Sequence, residues 1–225
     1  MDSAYYREKL YPLQDHVLAA IMRLDAGFYL TGGTALSRHY LNHRYSDDLD
    51  LFANQHQDFK SAVRSIEEEL IKQGFDFRAL TRSADFVRLE LDGSDGTRLI
   101  LDLVNDLVCR FGELETSSVL GKVDNVLNIL SNKLAAITRL ESKDFADVVC
   151  IARNYRFNWE KLVNQAGEKD VWVTPLDLAQ YLYQVEAERF SLIRWIQPQD
   201  LDRMAGDCRR IADDILHGAD NSLCG

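Results

Sequence analysis

Two acids one residue apart, Asp48 and Asp50, follow closely on a glycine pair, Gly32-Gly33. A third acid, Asp102, sits inside the apolar run Arg98-Leu-Ile-Leu-Asp-Leu-Val104. Side chains on a strand alternate with period two, so Asp48 and Asp50 share a face, with backbones about 6.5 Å apart. Two carboxylates so placed suit a divalent cation held between them. A glycine pair between a short apolar strand and a helix lets backbone amides approach a polyphosphate. The helix N-terminus adds donors and the positive end of its dipole. Glu90 and Asp102 both lie within strand patterns, and either can swing toward the pair. Asp102 is the better candidate, because an acid amid apolar residues is costly unless paired or metal-bound. Three carboxylates let one cation bind a triphosphate while a second lowers the pKa of an attacking hydroxyl. A phosphate cradle beside metal-binding carboxylates is the equipment of phosphoryl or nucleotidyl transfer. The donors are all hard oxygens and no histidine or cysteine completes a softer set, so Mg2+ (or Mn2+) is expected rather than zinc. Singly, each piece has a plainer reading as a turn, a solvated strand edge or an acid facing water; together, in this order, they favour the chemistry.

The elements that must position these residues are legible in the periodicity. Tyr11-Pro12-Leu13 predicts a helix start, and Leu13, Val17, Leu18, Ile21 and Leu24 keep helical spacing. Phe28 to Leu30 reads as a strand entering the glycine pair, Thr34 to Leu41 as a short helix, and Asp48 to Phe52 as the next strand. Phe59, Val63, Ile66 and Leu70 mark an amphipathic helix ending at Gly74. Strands are expected over 75–80, 86–91 and 98–104, the last two joined by the turn Gly93-Ser-Asp-Gly96. After Ser118 the pattern becomes helical: 123–140, 144–154, 159–166, 176–190 and 201–216. The expected fold class is α+β: a mixed β-sheet with flanking helices over 1–115, then an all-helical part over 116–225, with the cleft between them as the natural ligand site. Trp159, Trp172 and Trp195 read as core anchors, and His39 and His43 as solvated or nucleotide-adjacent.

A chain of 225 residues with 46% hydrophobic and 28% charged residues is long enough to bury a proper core. Its net charge of −10 excludes a surface basic along its whole length, so a nucleic-acid substrate requires a local basic patch. Arg153-Asn-Tyr-Arg156 and Cys208-Arg-Arg210 are the best basic surfaces on offer. No window has the apolar length of a membrane span, and the charged N-terminus lacks a signal peptide's core. The scattered Cys109, Cys150, Cys208 and Cys224 read as reduced thiols. A cytoplasmic protein without a membrane partner is expected.

Gly32-Gly-Thr-Ala-Leu36 together with Arg44-x-Ser46-x-Asp48-Leu-Asp-Leu-Phe52 resembles the AbiEii/AbiGii toxin family, within the nucleotidyltransferase superfamily of the DNA polymerase β type. The stretch Ile129 to Ile137, Arg139 and Lys143-Asp-Phe-Ala-Asp147 resembles that family's second block, in which a helix lysine precedes an Asp-x-x-Asp pair. The resemblance implies a nucleotidyltransferase-like fold and an NTP substrate whose NMP moves to an RNA end, of a tRNA or another RNA, or to a protein hydroxyl. It also implies the toxin of a type IV toxin–antitoxin or abortive-infection system, with a cognate antitoxin. Under it, Asp48, Asp50 and Asp102 hold metal and act in catalysis with Lys133. Gly32, Gly33, Thr34, Ser46, Lys133, Asp144 and Asp147 then serve the nucleotide. Physically, Lys133 is a flexible point cation suited to β- and γ-phosphates, or else a surface lysine on an amphipathic helix. Asp144 and Asp147 lie three apart on one helix face, though Asp144 could simply favour the helix dipole behind Ser142 as N-cap. The rival is a catalytically inactive nucleotide-binding regulator; retention of three acids and the lysine argues against it.

Overall fold

Alternation of leucines with polar residues builds the sheet. The computed structural model describes residues 3–106 and 110–224; Met1 and Asp2 of the charged N-terminus, and Cys109, lie outside the described residues. Strands β1 (Tyr29–Thr31), β2 (Leu49–Asn54), β3 (Asp76–Arg82), β4 (Phe86–Asp92), β5 (Arg98–Asp106), β6 (Glu115–Ser117) and β7 (Gly121–Val123) form one mixed sheet in the order β3-β4-β5-β2-β1-β7-β6. β2 runs parallel to β5 and β1 to β7, and the other neighbours are antiparallel. On β2, Leu49, Leu51 and Ala53 are buried, while Asp50, Phe52 and Asn54 alternate onto the other face. On β5, Leu99, Leu101 and Leu103 are fully buried, and the parallel register sets Asp50 beside Asp102. Because the period is two, one face is leucine and the opposite face carries both acids; a one-residue slip would turn the acids onto the leucine face instead.

Helix α1 (Ser3–Tyr5) passes through a π-helical turn, Tyr6–Leu10, into α2 (Tyr11–Met22), with Pro12 in the first turn. Helix α3 (Gly32–Ala35) continues as a π-helical stretch to Leu41. Helix α4 (Phe59–Lys72) starts behind Asp58, whose carboxylate accepts from the Ser61 amide, a side-chain cap of the first turn. The apolar stripes of α2 and α4 are buried, each leucine-sized side chain contributing about 1.5–3 kcal/mol.

The chain divides into two units. One comprises the chain up to Tyr40 with Tyr45–Asn125; the other comprises Leu41–Arg44 with the chain from Val126 onward. The sheet continues beyond residue 115 through β6 and β7, so the helical series begins at Val126. It consists of α5 (Val126–Ala135), α6 (Ser142–Asn154), α7 (Trp159–Lys169), α8 (Pro175–Tyr183) and α9 (Leu201–Leu216). Two long helices of the sequence reading are broken, with 3-10 turns at Ile137–Arg139 and Ala187–Leu192. Glu141 rather than Ser142 precedes α6, and no side chain caps it. Trp159, Phe145 and Phe190 are fully buried. Trp172 is 79% exposed and anchors no core. Among the described residues, no helix is long and apolar enough to cross a membrane.

Candidate active site

β1 ends at Thr31, which is paired with Asp50, so the chain turns where the Asp50 carboxylate already stands. Gly32 takes φ +67°, and a Cβ built there would lie 2.1 Å from Asp50 Oδ2. Only glycine fits, on both counts. The Thr31 hydroxyl donates to Asp124 Oδ2 at 2.8 Å instead of capping α3. The Thr34 hydroxyl donates to the Asp48 carbonyl, tying the approach to β2 onto the glycine turn. Gly33 and Thr34 are buried. Ser46 is buried, and its carbonyl accepts from Gln14 Nε2 at 3.3 Å. A Gly32→Ala variant therefore combines left-handed strain of about 1–2 kcal/mol with displacement of Asp50. It should lower the thermal midpoint by several degrees and, since small misplacements of reacting groups are expensive, cut transfer about a hundredfold. Thermal unfolding run beside a transfer assay checks both.

Across β1, β2, β5 and β4, Thr31, Asp50, Asp102 and Arg88 stand side by side. Asp48 is the half-buried residue immediately before β2. Asp102 is 7% exposed and gives both its oxygens to Arg88, with Nε at 2.7 Å and a terminal nitrogen at 2.6 Å. The hydrogen bond Arg88 donates to Asp102 raises the Arg88 pKa; burial opposes it, and the charges of Asp102, Asp48 and Asp50 reinforce it. All three acids thus act on one guanidinium. Glu90 faces Ile100, and its carboxylate is held by Arg78 at 2.8 Å, toward the sheet edge.

Among the described residues, no three or more His, Cys, Asp or Glu side chains gather closely enough to hold a metal ion. Mg2+ does not demand such a cage: it is commonly bound through one or two carboxylates, with substrate phosphates and water completing the octahedron. Asp48 and Asp50, hard oxygen donors beside a glycine turn that holds no Cβ, fit that requirement. Asp102 stands beside Asp50 with both of its oxygens held by Arg88.

The second constellation lies in the helical unit. Lys133 is buried on α5, its Nζ 2.6 Å from Asp144 Oδ1 and 2.9 Å from Asp147 Oδ2, so it is no surface lysine. Asp147 is fully buried and also receives Arg44, through Nε and a terminal nitrogen at 2.7 Å each, with His43 Nε2 2.8 Å away. Burial pushes the Asp147 carboxyl up, but Arg44 and Lys133 pull it further the other way, well below the usual carboxylate range. Burial likewise opposes the charge on Lys133, and Asp147 and Asp144 outweigh it and raise its pKa. The segment Leu41–Arg44 is fastened into this unit by an antiparallel bridge from Arg44 to Trp195 and by the Ile196 amide donating to the His43 carbonyl at 3.0 Å. His43 is therefore not solvated. Arg153, read as part of a basic surface, is paired with Asp207 at 2.7 Å.

Sequence reasoning gave no role to Arg88, read His43 as solvated or nucleotide-adjacent, and placed Arg44 only within a motif. A signal for Arg88 was present. The Gly93–Gly96 turn sets Asp92 opposite Arg98, and counting back along the antiparallel pair brings Arg88 opposite Asp102.

A mixed sheet thus carries a glycine turn pressed against a strand acid, with a second acid beside it on the next strand. Solved structures share this fold. One is JHP933 from Helicobacter pylori, 23% identical, with a TM-score of 0.58 over 96% of this chain and 92% of that one. Another is MenT4, a nucleotidyltransferase toxin from Mycobacterium tuberculosis H37Rv, 19% identical, with a TM-score of 0.67 over 96% of this chain and 86% of that one. Residues 16–220 match the nucleotidyl transferase AbiEii toxin family of type IV toxin–antitoxin systems, and the chain belongs to that family. No curated protein matches the chain.

Proposed function

We propose that this nucleotidyltransferase toxin moves an NMP from an NTP to a hydroxyl, on an RNA end such as that of a tRNA or on a protein side chain, and releases pyrophosphate. The reaction depends on Mg2+ (or Mn2+), and the toxin acts in the cytoplasm within a type IV toxin–antitoxin or abortive-infection system, restrained by a cognate antitoxin. The observation that carries the reading is the Asp50 carboxylate packed against Gly32 with Asp102 in register beside it. Asp48 and Asp50, joined by Asp102 when it leaves Arg88, hold the divalent cation, which when bound neutralises charge on the transferred phosphoryl group. Amides of Gly32, Gly33 and Thr34 hold the triphosphate. Support comes from Thr31, whose side chain goes to Asp124 and leaves this helix N-terminus without a side-chain cap. Ser46, two residues before Asp48, serves the nucleotide with them. Asp102, once free of Arg88, takes the proton of the acceptor hydroxyl. An ammonium has three donors. Two of Lys133's go to Asp144 and Asp147, and the third serves a phosphate oxygen.

The test is incubation with each of the four labelled nucleotides, Mg2+ and total cell extract, followed by separation of RNA from protein. Label should enter one fraction with matching pyrophosphate; chelation should abolish it, and Mg2+ or Mn2+ restore it. Nucleotide binding without pyrophosphate from any acceptor would instead establish the nucleotide-binding regulator.

A further inference from the structure

The partner Asp102 has chosen is unexpected for an acid in a cation-binding set. Its side chain is 10% exposed, and a charge so buried is costly without a counter-ion. That counter-ion here is Arg88, held by both forks of its guanidinium, the strong geometry for such a pair. Arg88 itself is 45% exposed and lies 5.6 Å from the centroid of the Phe86 ring. It therefore has water to swing into, whereas Asp102 has little. The guanidinium also feels the charges of Asp48 and Asp50, so it offsets part of the repulsion among the three acids.

We infer that Arg88 is the resident counter-ion of this acidic face. It competes with the divalent cation for Asp102 and so sets the cation level at which the three carboxylates come together. The inference rests on the reading of Asp48, Asp50 and Asp102 as the cation-binding set. The logic is that of any site whose competent form is a minority: apparent affinity falls by the fraction of molecules in which Asp102 has been released. When the cation loads, the Arg88–Asp102 pair opens, Asp102 turns to its neighbour Asp50 across the strand pair, and Arg88 moves out into water. Arg88 is thus a positioning residue that acts through Asp102.

The experiment titrates Mn2+ alone, without nucleotide, into the full-length protein and follows free Mn2+ by its electron paramagnetic resonance signal. Arg88→Gln keeps a hydrogen-bonding side chain and removes the charge. It should tighten Mn2+ binding by roughly three- to tenfold, the worth of a half-exposed charge-assisted pair. Arg88→Lys keeps the charge without the fork and should fall between that variant and wild type. Unchanged or weaker Mn2+ binding in a folded Arg88→Gln protein overturns the inference, since Arg88 then supports the site rather than competing for it. Should Arg88→Gln fail to fold, Arg88→Lys decides alone: tightening supports the competition and no change rejects it. Mn2+ binding that Asp50→Asn leaves untouched fails differently: it removes the cation-binding reading itself, and the inference with it.

Discussion

Replacing Asp50 by asparagine is expected to lower nucleotidyl transfer by about a thousandfold or more while the protein stays folded. The two halves of that expectation have separate causes. Asp50 lies on the face of β2 opposite the buried Leu49 and Leu51, so the core does not use it. Asparagine has nearly the same shape and keeps the contact with Gly32. What it loses is charge. A cation gripped between Asp48 and Asp50 would keep only Asp48 of that pair, which precedes the strand and lacks the register that fixes Asp50 between Thr31 and Asp102. Asp50 should therefore matter more than Asp48. Pyrophosphate release under saturating nucleotide, measured beside far-ultraviolet circular dichroism and a thermal melt, reads both halves. A folded Asp50→Asn protein with wild-type turnover would sink the mechanism.

How much of this was legible in the sequence follows from the range of the interactions involved. The acids, the glycine turn and the α+β class were readable because they rest on local period: two on β2 and β5, and 3.6 on α2 and α4. The short strands β6 and β7 were not, since three residues cannot display a period, and the β1–β7 pairing joins residues far apart in sequence. Lys133 shows the same limit for side chains. Its helix is amphipathic either way; that the lysine is buried follows from Asp144 and Asp147 arriving on the next helix, which spacing alone does not reveal. Arg44 and Asp147 are separated by 103 positions, beyond any local pattern. The Arg88–Asp102 pair stands between these cases, since a firm turn between two strands makes cross-strand partners countable. Trp172 failed for a different reason: aromatic residues are buried on average, and that average says nothing about a loop position between α7 and α8.

Removing Asp147 should be the most destabilising single change in the helical unit. Arg44, His43 and Lys133 converge on this one buried carboxylate. Asp147→Ala would leave Arg44 and Lys133 buried with Asp144 as the remaining acid of the cluster. Breaking a buried ion pair from one side costs about 3–5 kcal/mol, mainly because of the charge left behind. The same reasoning fixes the pH dependence. The folded-state pKa of Asp147 is depressed, so the folded protein holds fewer protons at this group than the unfolded chain does. Its contribution to stability is fully present above the ordinary carboxylate pKa of about 3.9 and is lost as pH falls toward the depressed value. Urea unfolding followed from neutral pH downward should show wild-type stability falling below about pH 4, and a shallower fall in Asp147→Ala. A charge-balanced variant separates the energy of the pair from that of the orphaned charge. Lys133→Met with Asp147→Leu leaves Arg44 and Asp144 as one cation and one anion, so the double variant should be more stable than Asp147→Ala alone. If it is instead the less stable of the two, the cluster's worth lies in its own hydrogen bonds, and the uncompensated cation is not what unfolds the single variant.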